Sequence, residues 1–101
     1  MKEIALCPRL SKAMELVGKR WTALIIYQLL EGPQRFNAIE SALPISGRLL
    51  SERLKELEKE GLVVRTVYSE VPIRVEYNLT DKGRSLEQAV REIEIWAKNW
   101  L

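Results

Sequence analysis

The stretch PISGRLLSERLKELEKEGLVVRTVYSEVPIRVEYNL, residues 44–79, decides the fold. Its first half reads as one helix. Ser46 suits the N-cap, and Leu50, Leu54 and Leu57 recur at helical spacing, with Leu49 alongside. Gly61 stands where a left-handed residue ends a helix. The period then changes. The run LVVRTVY, residues 62–68, is rich in β-branched residues. After SEVP, the run IRVEYNL alternates: Ile73, Val75, Tyr77 and Leu79 point one way, and Arg74, Glu76 and Asn78 the other. A helix followed at once by a two-stranded hairpin, with Ser69–Pro72 at its tip, is the expectation.

Working backwards, Pro44 closes a short helix over 36–42, with Phe36, Ile39 and Leu43 facing the core. Before it, Trp21, Leu24, Ile25, Gln28 and Leu29 form a helical stripe. Ile26, Tyr27 and Leu30 lie off that stripe, so this helix is expected to be buried nearly all round and to stop at Gly32-Pro33. Leu10, Ala13, Met14 and Val17 mark a first amphipathic helix, stopped by Gly18. Working forwards, Thr80 caps a last helix with Asp81 in its first turn, where a negative charge suits the helix dipole. Leu86, Val90, Ile93, Ala97 and Trp100 keep one apolar seam along it, flanked by Ala89 and Trp96.

Composition limits what such a chain does. The sequence has 101 residues, 47% hydrophobic and 30% charged, which suits one domain spanning 1–101. The net charge is only +2 and the pI about 8.8, so total charge does not announce a nucleic-acid partner and its distribution must be weighed. There is no histidine and one cysteine, Cys7. The commonest acid–base catalyst and most zinc sites are thereby excluded, and no internal disulfide is possible. No P-loop or GxGxxG occurs, and no cofactor or metal is expected. With no membrane-spanning run and no signal-peptide pattern, a cytoplasmic location is the expectation.

The element order predicts a mainly α fold with a small β-hairpin, a winged helix–turn–helix with a three-helix core. In that arrangement the second helix of the pair enters the major groove, with its N-terminal residues at the base edges. Here that helix begins at Ser46. Gly47 would let backbone approach a phosphate, and free N–H groups at a helix N-terminus attract anions. Arg48 can reach a guanine edge or a phosphate. Arg48, Ser51, Glu52 and Lys55 form a stripe opposite the leucines, with Glu52 a cytosine acceptor or a charge that rejects wrong sites. Arg74 projects from the hairpin toward a minor groove or a phosphate. Arg35 is a candidate phosphate clamp, and Arg65 a weaker candidate. The same charges also suit an ordinary solvated surface, with Arg74 paired to a glutamate across the hairpin. A winged helix serving as a protein-interaction module without DNA is the alternative function; an enzyme is the third class.

Four segments, CPRLSKAMELVGKRW, RFNAI, LLSERLKELEKEGLVVR and VPIRVEYNLTDKGRSL, together resemble the HxlR-type winged helix–turn–helix regulators of bacteria. The resemblance runs from Cys7 to the last helix. It implies a dimeric transcription factor on an inverted-repeat operator, more often a repressor. It implies dimerisation through the N-terminal helix (residues 1–17) and the C-terminal helix (80–101), with Leu10, Met14, Leu86, Val90, Ile93, Trp96, Ala97 and Trp100 at the interface. Where the family often has Gly-Gly-Lys-Trp, this chain has Gly18-Lys19-Arg20-Trp21. The family does not specify an effector. Cys7, ahead of Pro8 at a helix N-terminus and close in sequence to Arg9 and Lys12, is in surroundings that favour a reactive thiol. It is either a sensor of oxidants or electrophiles or an inert interface residue.

Overall fold

The computed structural model describes residues 5–101. Its elements are α1 (Pro8–Val17), α2 (Thr22–Leu29), α3 (Phe36–Ala42), α4 (Gly47–Lys59), β1 (Val63–Tyr68), β2 (Arg74–Leu79), α5 (Asp81–Arg84) and α6 (Glu87–Trp100). The leucine spacing of residues 50–57 becomes the inner face of α4. Leu50, Leu54 and Leu57 are fully buried against Ile25, Ile26 and Leu29 of α2 and Ile39 of α3. Each such side chain contributes about 1.5–3 kcal/mol by leaving water.

One side of α2 is covered rather than all of it. Thr22, Ile25, Ile26 and Leu29 are buried, while Leu24 and Tyr27 are partly exposed. At about 100° per residue the two exposed positions fall opposite the buried four, so one small core reaches only one side of the helix. Helix α2 also starts one residue later than its stripe suggested. Trp21 adopts φ 79°, in the left-handed region, and serves as N-cap. Few residues other than glycine go there, but the turn lets the indole pack against the core cluster.

Ser46 caps α4 as its position predicts, its Oγ accepting from the Leu49 N–H at 3.1 Å. Gly61, at φ 76°, ends the helix and lets the Leu62 N–H reach the Leu57 carbonyl at 2.9 Å. The hairpin starts directly beyond. β1 and β2 pair antiparallel from Val63↔Leu79 to Tyr68↔Arg74. The apolar face of the hairpin tapers: Val63 and Leu79 are buried at its base, whereas Ile73 and Val71 are exposed at its tip. Gln34, between α2 and α3, adds a short bridge to Tyr77, exchanging two backbone hydrogen bonds of 2.9 and 2.8 Å.

The last helix is interrupted. α5 ends at Arg84, Leu86 closes a tighter turn by donating to the Gly83 carbonyl at 3.2 Å, and α6 follows. Gly83 explains the break. A Cβ there would stand 2.1 Å from the Leu62 carbonyl oxygen, so α5 is pressed against the base of β1. Thr80 seals the junction: its Oγ1 accepts from the Gly83 N–H and donates to the Gly61 carbonyl. The helix must turn off this anchor before it can leave the core.

It does leave. The Cα radius of gyration is 15.6 Å, against about 13 Å for a compact chain of this length, and the molecule measures 65 × 29 × 24 Å. Neither α1 nor α6 contains a buried residue. These two helices are the projecting arms of the fold.

Candidate nucleic-acid interface

Helix α4 turns two faces to two environments. Opposite its buried leucines, Arg48 extends almost wholly into solvent, its side chain 93% exposed. Ser51 is half-buried, and Glu52 and Lys55 are exposed beside it. Glu52 stands one turn from Arg48, with Nε and Oε1 3.7 Å apart, a loose contact between mobile side chains. Among the described residues Lys55 and Arg35 make no ion pair. Arg35 is the exposed N-cap of α3, its carbonyl starting that helix. Arg53, between these positions in sequence, turns inward instead, donating to the Arg20 carbonyl and to Glu56.

Two residues mark the start of α4. Ser46 uses its oxygen lone pair on the Leu49 N–H, which leaves the hydroxyl proton free to donate. Gly47 sits where α3 and α4 approach closely. An added Cβ would lie 2.5 Å from Glu40 Oε2 and 3.8 Å from Phe36 Cε1. The close atom is the end of a flexible side chain, so packing leaves room for a Cβ once Glu40 moves.

Arg74 is the most tightly held cation of the predicted set. Its Nε and Nη2 donate to the two oxygens of Glu70 at 3.3 and 3.0 Å, and Nη1 donates to Glu76 at 2.8 Å. The guanidinium lies over the Tyr68 ring, 3.9 Å from its centroid. Its pKa is raised above the ordinary arginine value, chiefly by the hydrogen bond to Glu70, with burial opposing; the carboxylate charges add to the rise. Arg74 is therefore paired to glutamate, but not across the hairpin: Glu70 belongs to the turn, Glu76 to the same strand, and the residue opposite Arg74 on β1 is Tyr68, whose ring it covers. Arg65 on β1 is exposed.

The residues expected at a subunit interface divide into two groups. Leu86 and Val90 pack on the chain's own core. Leu10, Met14, Ile93, Trp96 and Trp100 are exposed, with Ala97 half-buried among them. The single seam along the last helix is thus split after its first turns, because only that end of α6 lies against α2. There Tyr27 donates to Glu94 in a short hydrogen bond, and Arg91 stacks over the Tyr27 ring 6.0 Å from its centroid. Cys7 is exposed at the N-cap of α1, its Sγ accepting from the Leu10 N–H at 3.4 Å.

Among the described residues, no helix is long and apolar enough to cross a membrane, and no group of acidic or thiol side chains is placed to hold a metal.

Comparison with known proteins places this architecture. The family model described as HxlR-like helix-turn-helix matches residues 16–101. The HTH-type transcriptional regulator YvaP of Bacillus subtilis (strain 168) is 56% identical over 102 residues, covering 100% of this chain and 94% of YvaP. Among solved structures, the reduced form of the B. subtilis transcriptional regulator YodB superposes with TM-score 0.83 at 44% identity, covering 95% of each chain. YodB has also been solved after diamide treatment and with bound quinone. The redox regulator HypR in its oxidised form superposes with TM-score 0.87 at 37% identity, covering 92% of this chain and 96% of HypR. The winged helix–turn–helix fold is common to them.

Proposed function

The chain belongs to the HxlR-like helix-turn-helix family and is an HTH-type transcriptional regulator, not an enzyme; on that premise we propose that it binds a two-fold-symmetric operator as a homodimer and represses from it. The outward stripe of α4 carries this proposal. Arg48, Ser51, Glu52 and Lys55 face solvent from a helix whose other side is anchored in the core. Polar and charged groups there suit a groove of base edges and phosphates better than a protein partner, which would call for exposed aromatic or aliphatic anchors. Arg48 reads bases near the N-terminus of α4. Ser46, Gly47 and Arg35 meet phosphates around it, Ser51, Glu52 and Lys55 continue along the groove, and Arg74 contacts DNA from the wing. The bare faces of α1 and α6 pair with those of a second copy. The two recognition helices then reach half-sites about 34–36 Å apart.

Cys7 gives the dimer a response to oxidants or electrophiles. Three observations support this: its exposure, its place at the head of an arm assigned to the dimer, and the redox behaviour stated for HypR. With one thiol per protomer, an oxidant such as diamide would remove two electrons and two protons from two Cys7 thiols and leave an intersubunit disulfide.

Selection of bound duplexes from a random pool supplies the operator for the test. Arg48→Ala is expected to weaken that site about 5- to 100-fold and to relax its sequence preference. Lys55→Ala is expected to weaken all duplexes alike and to lower the salt slope by about one. An Arg48→Ala protein that footprints as tightly and as selectively as the wild type refutes the recognition assignment. Equal operator affinity with Cys7 reduced, oxidised and alkylated removes the cysteine from the regulation.

A further inference from the structure

The formal charges of the wing cancel. Between Val63 and Leu79 there are two cations, Arg65 and Arg74, and two carboxylates, Glu70 and Glu76. Both carboxylates are bonded to the same cation, Arg74. A phosphate approaching Arg74 therefore meets a cluster of one positive and two negative charges. The Nε–Nη2 edge of the guanidinium, the one best shaped for bidentate recognition of an anion or a base edge, is already bonded to Glu70 at 3.3 and 3.0 Å.

The three partners of Arg74 differ in how easily they yield. Glu76 is 19% exposed and comes from the same strand, and Tyr68 stacks beneath the guanidinium plane from the paired strand. Glu70 lies beyond the end of β1, with its side chain 52% exposed. Glu70 can swing into water while Glu76 and Tyr68 keep the guanidinium in place. An exchange then becomes possible in which two N–H···O bonds to a carboxylate are replaced by two to DNA.

We infer that Glu70 is a specificity-determining residue of the wing: it competes with DNA for Arg74, and Arg74 is released only where the duplex receives its whole freed edge. This rests on the assignment of Arg74 to DNA. On a random duplex the wing sits loosely, the exchange gains nothing, and Arg74 stays bonded to Glu70. On the correct site the docked recognition helix holds the wing in register, and the exchange goes through. Arg48 provides the contrast, since its own glutamate is 3.7 Å away and the arginine is almost wholly exposed. It is available to any duplex and carries no such selection.

Glu70→Gln keeps the shape and removes the charge. Two probes serve: a duplex selected from a random pool by the wild-type protein, and a scrambled duplex of equal length. Fluorescence anisotropy across a salt series should show the variant binding the scrambled duplex about two- to fivefold more tightly at low salt. Its salt slope should steepen by up to about one. The selected duplex should gain less, so the ratio of the two affinities falls. In an Arg74→Ala background the same change should gain nothing. If Arg74→Ala alone leaves both affinities unchanged, the wing assignment fails and the inference with it. If Arg74→Ala weakens the selected duplex but Glu70→Gln leaves the ratio and slope unaltered, only the competitor role is overturned. A gain from Glu70→Gln that persists without Arg74 also overturns it, since the charge would then act on DNA directly.

Discussion

Gly83→Ala and Gly47→Ala are one chemical change at two helical glycines, and the structure predicts different outcomes. At Gly83 the new methyl would lie 2.1 Å from the Leu62 carbonyl oxygen, 3.0 Å from its carbon and 3.1 Å from Leu79 Cδ2. An ordinary carbon–oxygen contact is about 3.3 Å, so the two elements must separate by roughly 1 Å. The obstacle is backbone and cannot rotate away. It also accepts the Thr80 N–H at 3.0 Å, a bond that the separation would stretch. Overpacking of this kind costs about 1–3 kcal/mol and a weakened hydrogen bond about 1 kcal/mol more. The better helix propensity of alanine offsets at most about 1 kcal/mol. A net loss of about 2–3 kcal/mol lowers the melting temperature by roughly 10–20 °C in a domain of this size. At Gly47 the nearest atom, 2.5 Å away, is the terminal Oε2 of Glu40, which makes no hydrogen bond or ion pair among the described residues. That side chain can swing aside, and alanine in a helix recovers up to about 1 kcal/mol. Gly47→Ala should therefore melt at or above the wild-type temperature. Circular-dichroism melts of the three proteins at one concentration decide the matter, since self-association would shift the midpoints. A Gly83→Ala protein melting within about 3 °C of the wild type, or Gly47→Ala falling as far as Gly83→Ala, refutes the reasoning.

Removing the cap with Ser46→Ala should cost about 1 kcal/mol in urea unfolding, and an unchanged midpoint would count against the Leu49 bond. Tyr27 has its phenol pKa raised, first by the hydrogen bond to Glu94 and then by the charge of Glu94. A raised acid favours the protonated form in the folded state, so its contribution is complete below the unfolded value of about 10 and is lost as pH climbs through the folded one. Tyr27→Phe should thus melt below the wild type at pH 8, and the gap should close above about pH 10; a widening gap would contradict the assignment. Trp96, 55% exposed in the single chain, should be a dimer anchor. Trp96→Ala is expected to raise the dimer dissociation constant by about 30-fold or more in sedimentation equilibrium, with the helical circular-dichroism spectrum retained. An unchanged dimer would move the interface elsewhere.

The amino-acid sequence by itself determined the order and type of the elements from the first helix to the hairpin. The leucine period of 50–57, the alternation of 73–79, the Ser46 cap and the Gly61 stop are local signals, and each acts through its own backbone. They also determined which side of α4 faces out, because the buried leucines leave Arg48, Ser51 and Lys55 only one direction. Tertiary structure decided whatever depends on a partner distant in the chain. The sequence pattern runs unbroken through the last helix, but Leu62 stands against Gly83 and bends it. One apolar seam spans residues 86–100, but α2 covers only its start. Glu70 and Arg74 are four residues apart in a segment that is not helical, so no helical rule pairs them; the turn of the wing does. The position of Arg74 was legible in the sequence. Whether its charge is free or held depends on Glu70, Glu76 and Tyr68 converging in space, and no local propensity encodes that convergence.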